Sequence, residues 1–416
     1  MEELALIILF CAGYAAIAFE HSLKLHKAAT ALCTGIALWV ILAFTHADPA
    51  DGLMQSFAGI AAILFFLLGA MVIVELIDTH DGFSLIRNTI HTRSKTRLTW
   101  IIAILSFVLS AVLDNLTTSI VMVSMMRKWD FTRDEQLKLG GVIILAANAG
   151  GAWSPIGDVT STMLWIGNQV TAPVLMMKVF LPSLVSCLVP VFFLARSMKG
   201  ELPAGLDDKN GRVNPSEQKF VLIAGVAALL FVPVFKEVTH LPQFMGMLLS
   251  LGVLWLVIEI VFRKRSNTDE NYFSVAHALR KIDTPSILFF LGILLAVAAL
   301  EHAQLLSKLG SALSSYLPDT NAQGMVIGIL SAIVDNVPLV AAAQHMYPAD
   351  VFTTNHPFWL LLCYTAGTGG SLLIIGSAAG VAVMGLQEIS FIDYLKKISL
   401  YALMGFASGC IVLLVQ

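Results

Sequence analysis

The chain has 416 residues, 57% of them hydrophobic and only 13% charged, with a net charge of -3. So few charges cannot cover the surface of a water-soluble globule of this length, which leaves a polytopic helical membrane protein. Five cysteines (Cys11, Cys33, Cys187, Cys363, Cys410) lie in apolar segments without metal-ligand spacing, and their odd number argues against a disulfide framework.

Two apolar runs, Leu4 to Phe19 and Ala28 to Phe44, open the sequence. The start, Met1-Glu2-Glu3, is acidic where a secretory signal would be basic, so the first run is expected to be a retained helix. Lys24 and Lys27 between the two runs predict a cytoplasmic linker and an external N-terminus. A third run, Phe57 to Ile77, is followed by Arg87, Arg93, Lys95 and Arg97, which puts its far end in the cytoplasm.

The next stretch, Leu98 to Met126, is too long for one upright helix and too short for two spans. It is interrupted by Asp114-Asn115-Leu116-Thr117-Thr118. Basic residues flank both ends, so a hairpin that enters and leaves on the cytoplasmic side satisfies the positive-inside rule, whereas a full crossing does not. From Leu98 to Asp114 a helix rises roughly 25 Å, which brings the turn near or beyond the bilayer midplane. An aspartate there must pair its charge, bind a cation or take up a proton. The plainer role for Asp114 and Asn115 is a polar clasp between helices.

The run Leu137 to Ala147 is predicted to break at Asn148-Ala-Gly-Gly-Ala-Trp-Ser-Pro-Ile-Gly-Asp158 and to resume through Thr160 to Ile166. Unwound backbone at membrane depth is tolerated where it lines a cavity or is buried in protein, as in the discontinuous helices of transporters. Twelve residues from Leu137 rise roughly 18 Å, so the break falls near the level of the hairpin tip. Asp158, Thr160 and Ser161 sit at the restart. An N-cap is the plainer role for Asp158, and it is compatible with holding an ion. A span from Val174 to Ala195 follows, then a charged linker to Lys219, spans Phe220 to Phe235 and Phe244 to Phe262, and a basic segment from Arg263 to Asp283.

From Ser286 the pattern starts again. Gly69 aligns with Gly292, Asp78 with Glu301, Asp114-Asn115 with Asp335-Asn336, Gly150 with Gly369 and Gly157 with Gly376, at an offset of about 220 residues. If each Asp-Asn element is a hairpin, the crossings between the two starts are odd in number, and the repeats are inverted. The second hairpin has no Lys or Arg at its flanks, as an external face requires. In the second break, Gly367 to Gly380, no carboxylate stands where Asp158 does, and Ser371 and Ser377 are the polar groups. Glu75 and Asp78 share a helix face, and like Glu20, Glu259, Glu301 and His302 they read as solvated residues at span ends.

The expected fold is therefore an all-α polytopic membrane protein with two inverted-topology repeats, each holding a re-entrant helical hairpin and a discontinuous transmembrane helix. Residues 1–56 form N-terminal helices. Repeat one is 57–195 (hairpin 98–126, broken helix 137–166), 196–285 is a cytoplasmic linker with two connecting spans, and repeat two is 286–416 (hairpin 325–346, broken helix 357–386).

The strings Leu113-Asp114-Asn115-Leu116-Thr117-Thr118, Asn148 to Thr160 and Val334-Asp335-Asn336-Val337-Pro338 resemble those of the NhaD-type sodium/proton antiporters of the ion-transporter superfamily. The resemblance implies exchange of Na+ or Li+ for H+ across a bacterial inner membrane, scaffold and transport parts, and a homodimer. It implies no enzymatic activity, no cofactor and no nucleic-acid partner. Citrate and dicarboxylate carriers of the same superfamily look similar but favour Ser-Asn-Thr at the hairpin tips. Aspartate in both tips suits a cation better than a carboxylate substrate. A reading from another class is an intramembrane aspartyl protease using Asp114 and Asp158, in which the duplicated Asp-Asn element has no role.

The candidate ion-binding residues are Asp114, Asn115, Thr117, Thr118, Asn148, Asp158, Thr160, Ser161, Asp335, Asn336, Ser371 and Ser377. Asp114, Asn115, Asn148 and Asp158 are the expected Na+ ligands. A hard cation prefers such oxygens, and burial favours the neutral form of a carboxylate, so Na+ and H+ are expected to compete there.

Overall fold

The computed structural model describes residues 2–18, 23–45, 49–85, 90, 92–126, 129, 131–202, 214–262, 274–333 and 336–416. The chain is helical, beginning with α1 (Glu2–Ala18), α2 (Lys27–Thr45) and α3 (Pro49–Thr79). Then come α4 (Lys95–Leu113) and α5 (Asn115–Met126), separated at Asp114, and α6 (Arg133–Ala152) and α7 (Val159–Ile166). Next come α8 (Ala172–Ser197), α9 (Pro215–Thr239), α10 (Gln243–Phe262), α11 (Val275–Lys281) and α12 (Thr284–His302). The second half continues with α13 (Leu305–Tyr316), α14 (Thr320–Leu330), α15 (Asn336–Met346), α16 (Pro357–Gly369) and α17 (Ala378–Gln387). It ends with α18 (Phe391–Lys397) and α19 (Ser399–Val415).

Among the described residues, seven helices (27–45, 49–79, 95–113, 172–197, 215–239, 243–261 and 284–302) are long and apolar enough to cross a bilayer. The protein is a multi-pass membrane protein. The chain interrupts helices where the sequence predicts, at Asp114 and between the two parts of each broken helix. Boundaries differ at two places that matter: α3 starts at Pro49, ahead of the expected Phe57 and across the expected 56/57 division, and α6 starts at Arg133 and runs through Asn148 and both glycines to Ala152. Its early start is set by a capping box of Thr132 with Glu135, and its late end by packing. The expected break at Asn148 is thus a break at Trp153 to Asp158.

The glycines serve approach between elements rather than unwinding. A Cβ on Gly150 would lie 2.2 Å from the Phe107 carbonyl oxygen, and one on Gly369 would lie 2.1 Å from that of Gly328. Gly157 meets the Ser110 carbonyl oxygen at 2.6 Å in the same way as Gly376 meets that of Ala332 at 2.6 Å. Matching serines add side-chain bonds, Ser110 Oγ to the Ala147 carbonyl (2.6 Å) and Ser331 Oγ to the Ala366 carbonyl (3.2 Å). Contacts of the same kind thus recur between α4 and the α6–α7 segment and between α14 and the α16–α17 segment.

The second arms pack across the halves. α5 lies against α17, and α15 against α7, while α6 and α16 pack on each other. Outside this group, α3 packs on α9 and α10, and α12 packs on α2. Gly69 seats Met247 on one side, and Gly292 approaches Gly35 closely on the other. α1 in turn packs on α2. This outer bundle meets the inner one through α3 with α7 and α12 with α15.

At one end of the inner bundle the halves are clamped by charge. The Arg133 guanidinium donates to the carbonyls of Gln387 (2.6 Å) and Glu388, and Asp134 pairs with Lys138 (2.8 Å) and Lys397. Arg133 thereby satisfies carbonyls that the end of α17 leaves without intrahelical partners.

Candidate functional site

All four interrupted elements end and restart around one buried point. The carbonyl ends of α4, α6, α14 and α16 and the amide ends of α5, α7, α15 and α17 meet there, so partial charges of both signs are available to an ion and its counter-charge.

Asp158 is 3% exposed and is the N-cap of α7, with extended backbone (φ -149°, ψ 148°). Its side chain makes no capping bond. Instead Oδ1 accepts from Asn115 Nδ2 at 3.1 Å, and Oδ2 accepts from Asn336 Nδ2 at 3.3 Å and from the Thr160 hydroxyl. One carboxylate thus lies between the amides of Asn115 and Asn336.

Asn148, fully buried in the last turn but one of α6, closes the arrangement. Its Oδ1 accepts from Asn115 Nδ2 at 3.1 Å, and its Nδ2 donates to Ser371 Oγ at 2.8 Å and Ser377 Oγ at 2.9 Å. Both amide hydrogens are therefore committed to the second half, and the carbonyl oxygen is held toward Asn115. Ser377 also accepts from the Gly380 backbone N–H at 3.1 Å, which caps α17.

Asp114 is turned differently. As the residue after α4 it adopts φ 81° and ψ 162°, a backbone region in which a non-glycine residue costs about 1–3 kcal/mol. Its Oδ1 accepts from the Thr117 backbone N–H at 2.7 Å and its Oδ2 from the Thr117 hydroxyl at 3.0 Å, so the carboxylate caps α5. Asp114 and Asn115 are adjacent, yet one bonds its own turn and the other reaches Asp158. Thr118 is fully buried, and its hydroxyl has no hydrogen-bond partner among the described residues. Ser161 holds the linker, with its hydroxyl 2.6 Å from the Ser154 carbonyl and 2.8 Å from that of Asp158. Asp335 lies outside the described residues.

The structure thus joins Asn115, Asn148, Asp158, Thr160, Asn336, Ser371 and Ser377 in one hydrogen-bonded set. Sequence reasoning passed over Ser110, Ser154 and Ser331, whose hydroxyls tie hairpins to broken helices through carbonyls. The signal was available, because Ser110 and Ser331 stand at the repeat offset.

A family model described as a citrate transporter matches residues 14–367. The chain is 44% identical over 417 residues to sodium/proton antiporter 1 of Arabidopsis thaliana, covering 98% of this chain and 71% of that one. It is 40% identical over 410 residues to sodium/proton antiporter 2 of the same plant, covering 97% of each. It is 30% identical over 411 residues to the Na(+)/H(+) antiporter NhaD of Vibrio parahaemolyticus, covering 91% of this chain and 97% of that one. Matched by the family model over most of its length and by these relatives over nearly all of it, the chain belongs to the citrate-transporter (CitMHS) family, alongside the NhaD-type sodium/proton antiporters.

Proposed function

We propose that this protein is a secondary active antiporter that exchanges Na+ or Li+ for H+, with the bound cation and the proton competing for Asp158. The observation that carries this reading is the buried Asp158 carboxylate, which accepts from the neutral amides of Asn115 and Asn336, one from each half, and from the Thr160 hydroxyl. A carboxylate in such surroundings is costly until a cation or a proton joins it. Asn148 offers a fixed carbonyl oxygen. Asn115 and Asn336 donate N–H to the carboxylate, and each can rotate its amide to present oxygen to an arriving cation.

Asp114 supplies a second carboxylate at the hairpin tip, and its strained backbone is consistent with a residue kept for function rather than stability. Loading Na+ displaces the proton, and return of the empty carrier requires reprotonation. Access alternates by movement of the inner bundle against the outer one, in a fold of two inverted repeats with re-entrant hairpins. The exchanged packing of α5 on α17 and of α15 on α7 supports this arrangement. The membrane is one that holds a proton gradient, which we take to be the bacterial inner membrane, and the protein works as a homodimer.

Relatives named as antiporters favour this reading over the carriage of citrate. A central carboxylate also repels a carboxylate substrate. The test is proton flux in proteoliposomes on successive addition of Na+, Li+, K+ and citrate. Proton release with Na+ or Li+ is expected; release with citrate alone would refute the proposal.

A further inference from the structure

Ser371, one of the two serines that hold the Asn148 amide, lies in the break between α16 and α17, and its backbone carbonyl accepts from the Tyr394 hydroxyl at 2.8 Å. Tyr394 is a fully buried residue of α18. Among the described residues, no other side chain donates to a carbonyl of residues 370–377. The first break is secured differently. Ser161 and Thr162, in the helix that follows it, donate to the carbonyls of Ser154 (2.6 Å) and Pro155 (2.9 Å), and Ser154 Oγ donates to that of Ala111. At the offset that relates Gly150 to Gly369, the counterparts of Ser161, Thr162 and Ser154 are Gly380, Val381 and Leu373, none with a hydroxyl. Gly380 has no room for one, since a Cβ there would lie 2.0 Å from the Ile374 carbonyl oxygen. The same offset matches Tyr394 with Leu175, a buried apolar residue of α8. The second half thus carries its anchoring hydroxyl on the next helix.

Resting on the exchange reading above, we infer that Tyr394 is a positioning residue for the cation site, fixing the backbone of Ser371 so that the serine hydroxyl holds the Asn148 amide. The helix that carries the tyrosine is itself fastened to α6. Lys397 at its end pairs with Asp134, and Arg133 donates to the carbonyls of Gln387 and Glu388 just before it. Contacts therefore close a ring that starts and ends on α6, from Asn148 through Ser371 and Tyr394 to Lys397 and Asp134. Once its backbone is held, a serine Oγ has only the χ1 rotation left. Without the tyrosine bond the break is free to shift, Ser371 Oγ draws away from Asn148 Nδ2, and Asn148 Oδ1 is no longer held toward Asn115. Tyr394 acts on the ion only through these residues.

The experiment uses the full-length protein in proteoliposomes and measures KM for Na+ and kcat from proton flux in a double-mutant cycle of Tyr394→Phe and Ser371→Ala. Tyr394→Phe keeps the buried ring and removes the hydroxyl. Each single variant is expected to raise KM about fivefold, the equilibrium worth of one net hydrogen bond, with kcat within about twofold. The double variant is expected to show the same rise of about fivefold, because the tyrosine has nothing to position once the serine hydroxyl is gone. A product of the two effects, about twenty-five-fold, would show independent structural roles and overturn the inference. So would an unmoved KM in either single variant. If Tyr394→Phe does not elute as folded protein, the cycle is run with Tyr394→p-aminophenylalanine, whose weaker donor is expected to raise KM about twofold and only while Ser371 is present; a rise that persists in the Ser371→Ala background overturns the inference. An unsubstituted protein without Na+-dependent proton flux overturns the exchange reading itself, whereas normal exchange with an unmoved KM in Tyr394→Phe overturns only the role of Tyr394.

Discussion

Asp158 and Ser377 occupy the same position in the two halves, each the extended N-cap of the helix that follows a break, yet only Ser377 uses its side chain as a cap. The carboxylate is released from that local task by Asn115, Asn336 and Thr160, which hold it toward the centre. The halves share a backbone but have divided the labour.

That division predicts unequal mutants. Asp158→Asn is expected to abolish exchange, because it removes the titratable ligand while leaving the helix start intact. Ser377→Ala removes a cap worth about 1 kcal/mol and one of two bonds to Asn148, so it lowers thermal stability and raises the KM for Na+ without abolishing transport. Proton flux at matched expression separates them, and equal residual activity would count against the assignment of Asp158.

Asn148 should depend on both serines. Ser371→Ala leaves one amide hydrogen of a fully buried residue without its partner, a cost of about 1–3 kcal/mol. The expected result is a raised KM for Na+ with a kcat that changes less. Rescue by Ser371→Thr, which restores a hydroxyl, distinguishes orientation of the amide from a general loss of packing.

Asp114→Asn keeps an oxygen that can accept from Thr117, so the variant is expected to fold in normal yield. If the carboxylate carries charge through the cycle, Na+-dependent proton flux should nevertheless vanish. Full activity in this variant would reduce Asp114 to the cap of α5.

Exchange should rise with pH, and KM for Na+ should increase on acidification, because protons and Na+ compete for the same oxygens. The clamp at the start of α6 is not the origin of that dependence. Hydrogen bonds from Lys138 and then Lys397 hold the Asp134 carboxyl below the ordinary carboxylate range. A depressed carboxylate contributes stability above its unfolded pKa of about 3.9 and loses it as pH falls through the lower folded value, far from neutrality. Asp134→Asn is therefore expected to leave the pH profile of exchange between pH 6 and 9 unchanged, within about 0.2 pH units at half-maximum.

The proposed inverted topology is checked by single cysteines in a cysteine-free background, one at Lys199 and one at Val351, both exposed positions. They are expected to react from opposite sides with an impermeant maleimide. Labelling of both from one side would remove the re-entrant hairpins.

Much of this architecture was legible in the sequence, for identifiable reasons. Charge at the loops and polar interruptions inside apolar runs located the breaks at Asp114 and before Asp158, because both features are costly in a bilayer wherever they are not needed. The end of α6 was misplaced because glycine has two uses. In the sequence Gly150 and Gly151 read as helix breakers, whereas the structure uses them to let backbones touch, and a single residue type cannot signal which. The partnership of α2 with α12 was hidden as well, since Gly35 and Gly292 meet only in three dimensions. Side-chain direction was least legible of all. Nothing in Asp114-Asn115 says that the first bonds its own turn while the second crosses to Asp158.

The exchanged packing also sets a timetable for assembly. Asn336, which bonds Asp158, comes 178 residues after it, and the serines that hold Asn148 come 223 and 229 residues after it. At ribosomal speeds of about 5–20 residues per second, the first half waits on the order of ten to fifty seconds for them. During that interval a carboxylate destined for the interior has only the partners of its own half. The nascent chain therefore passes through a stage in which its most valuable residue is its greatest liability.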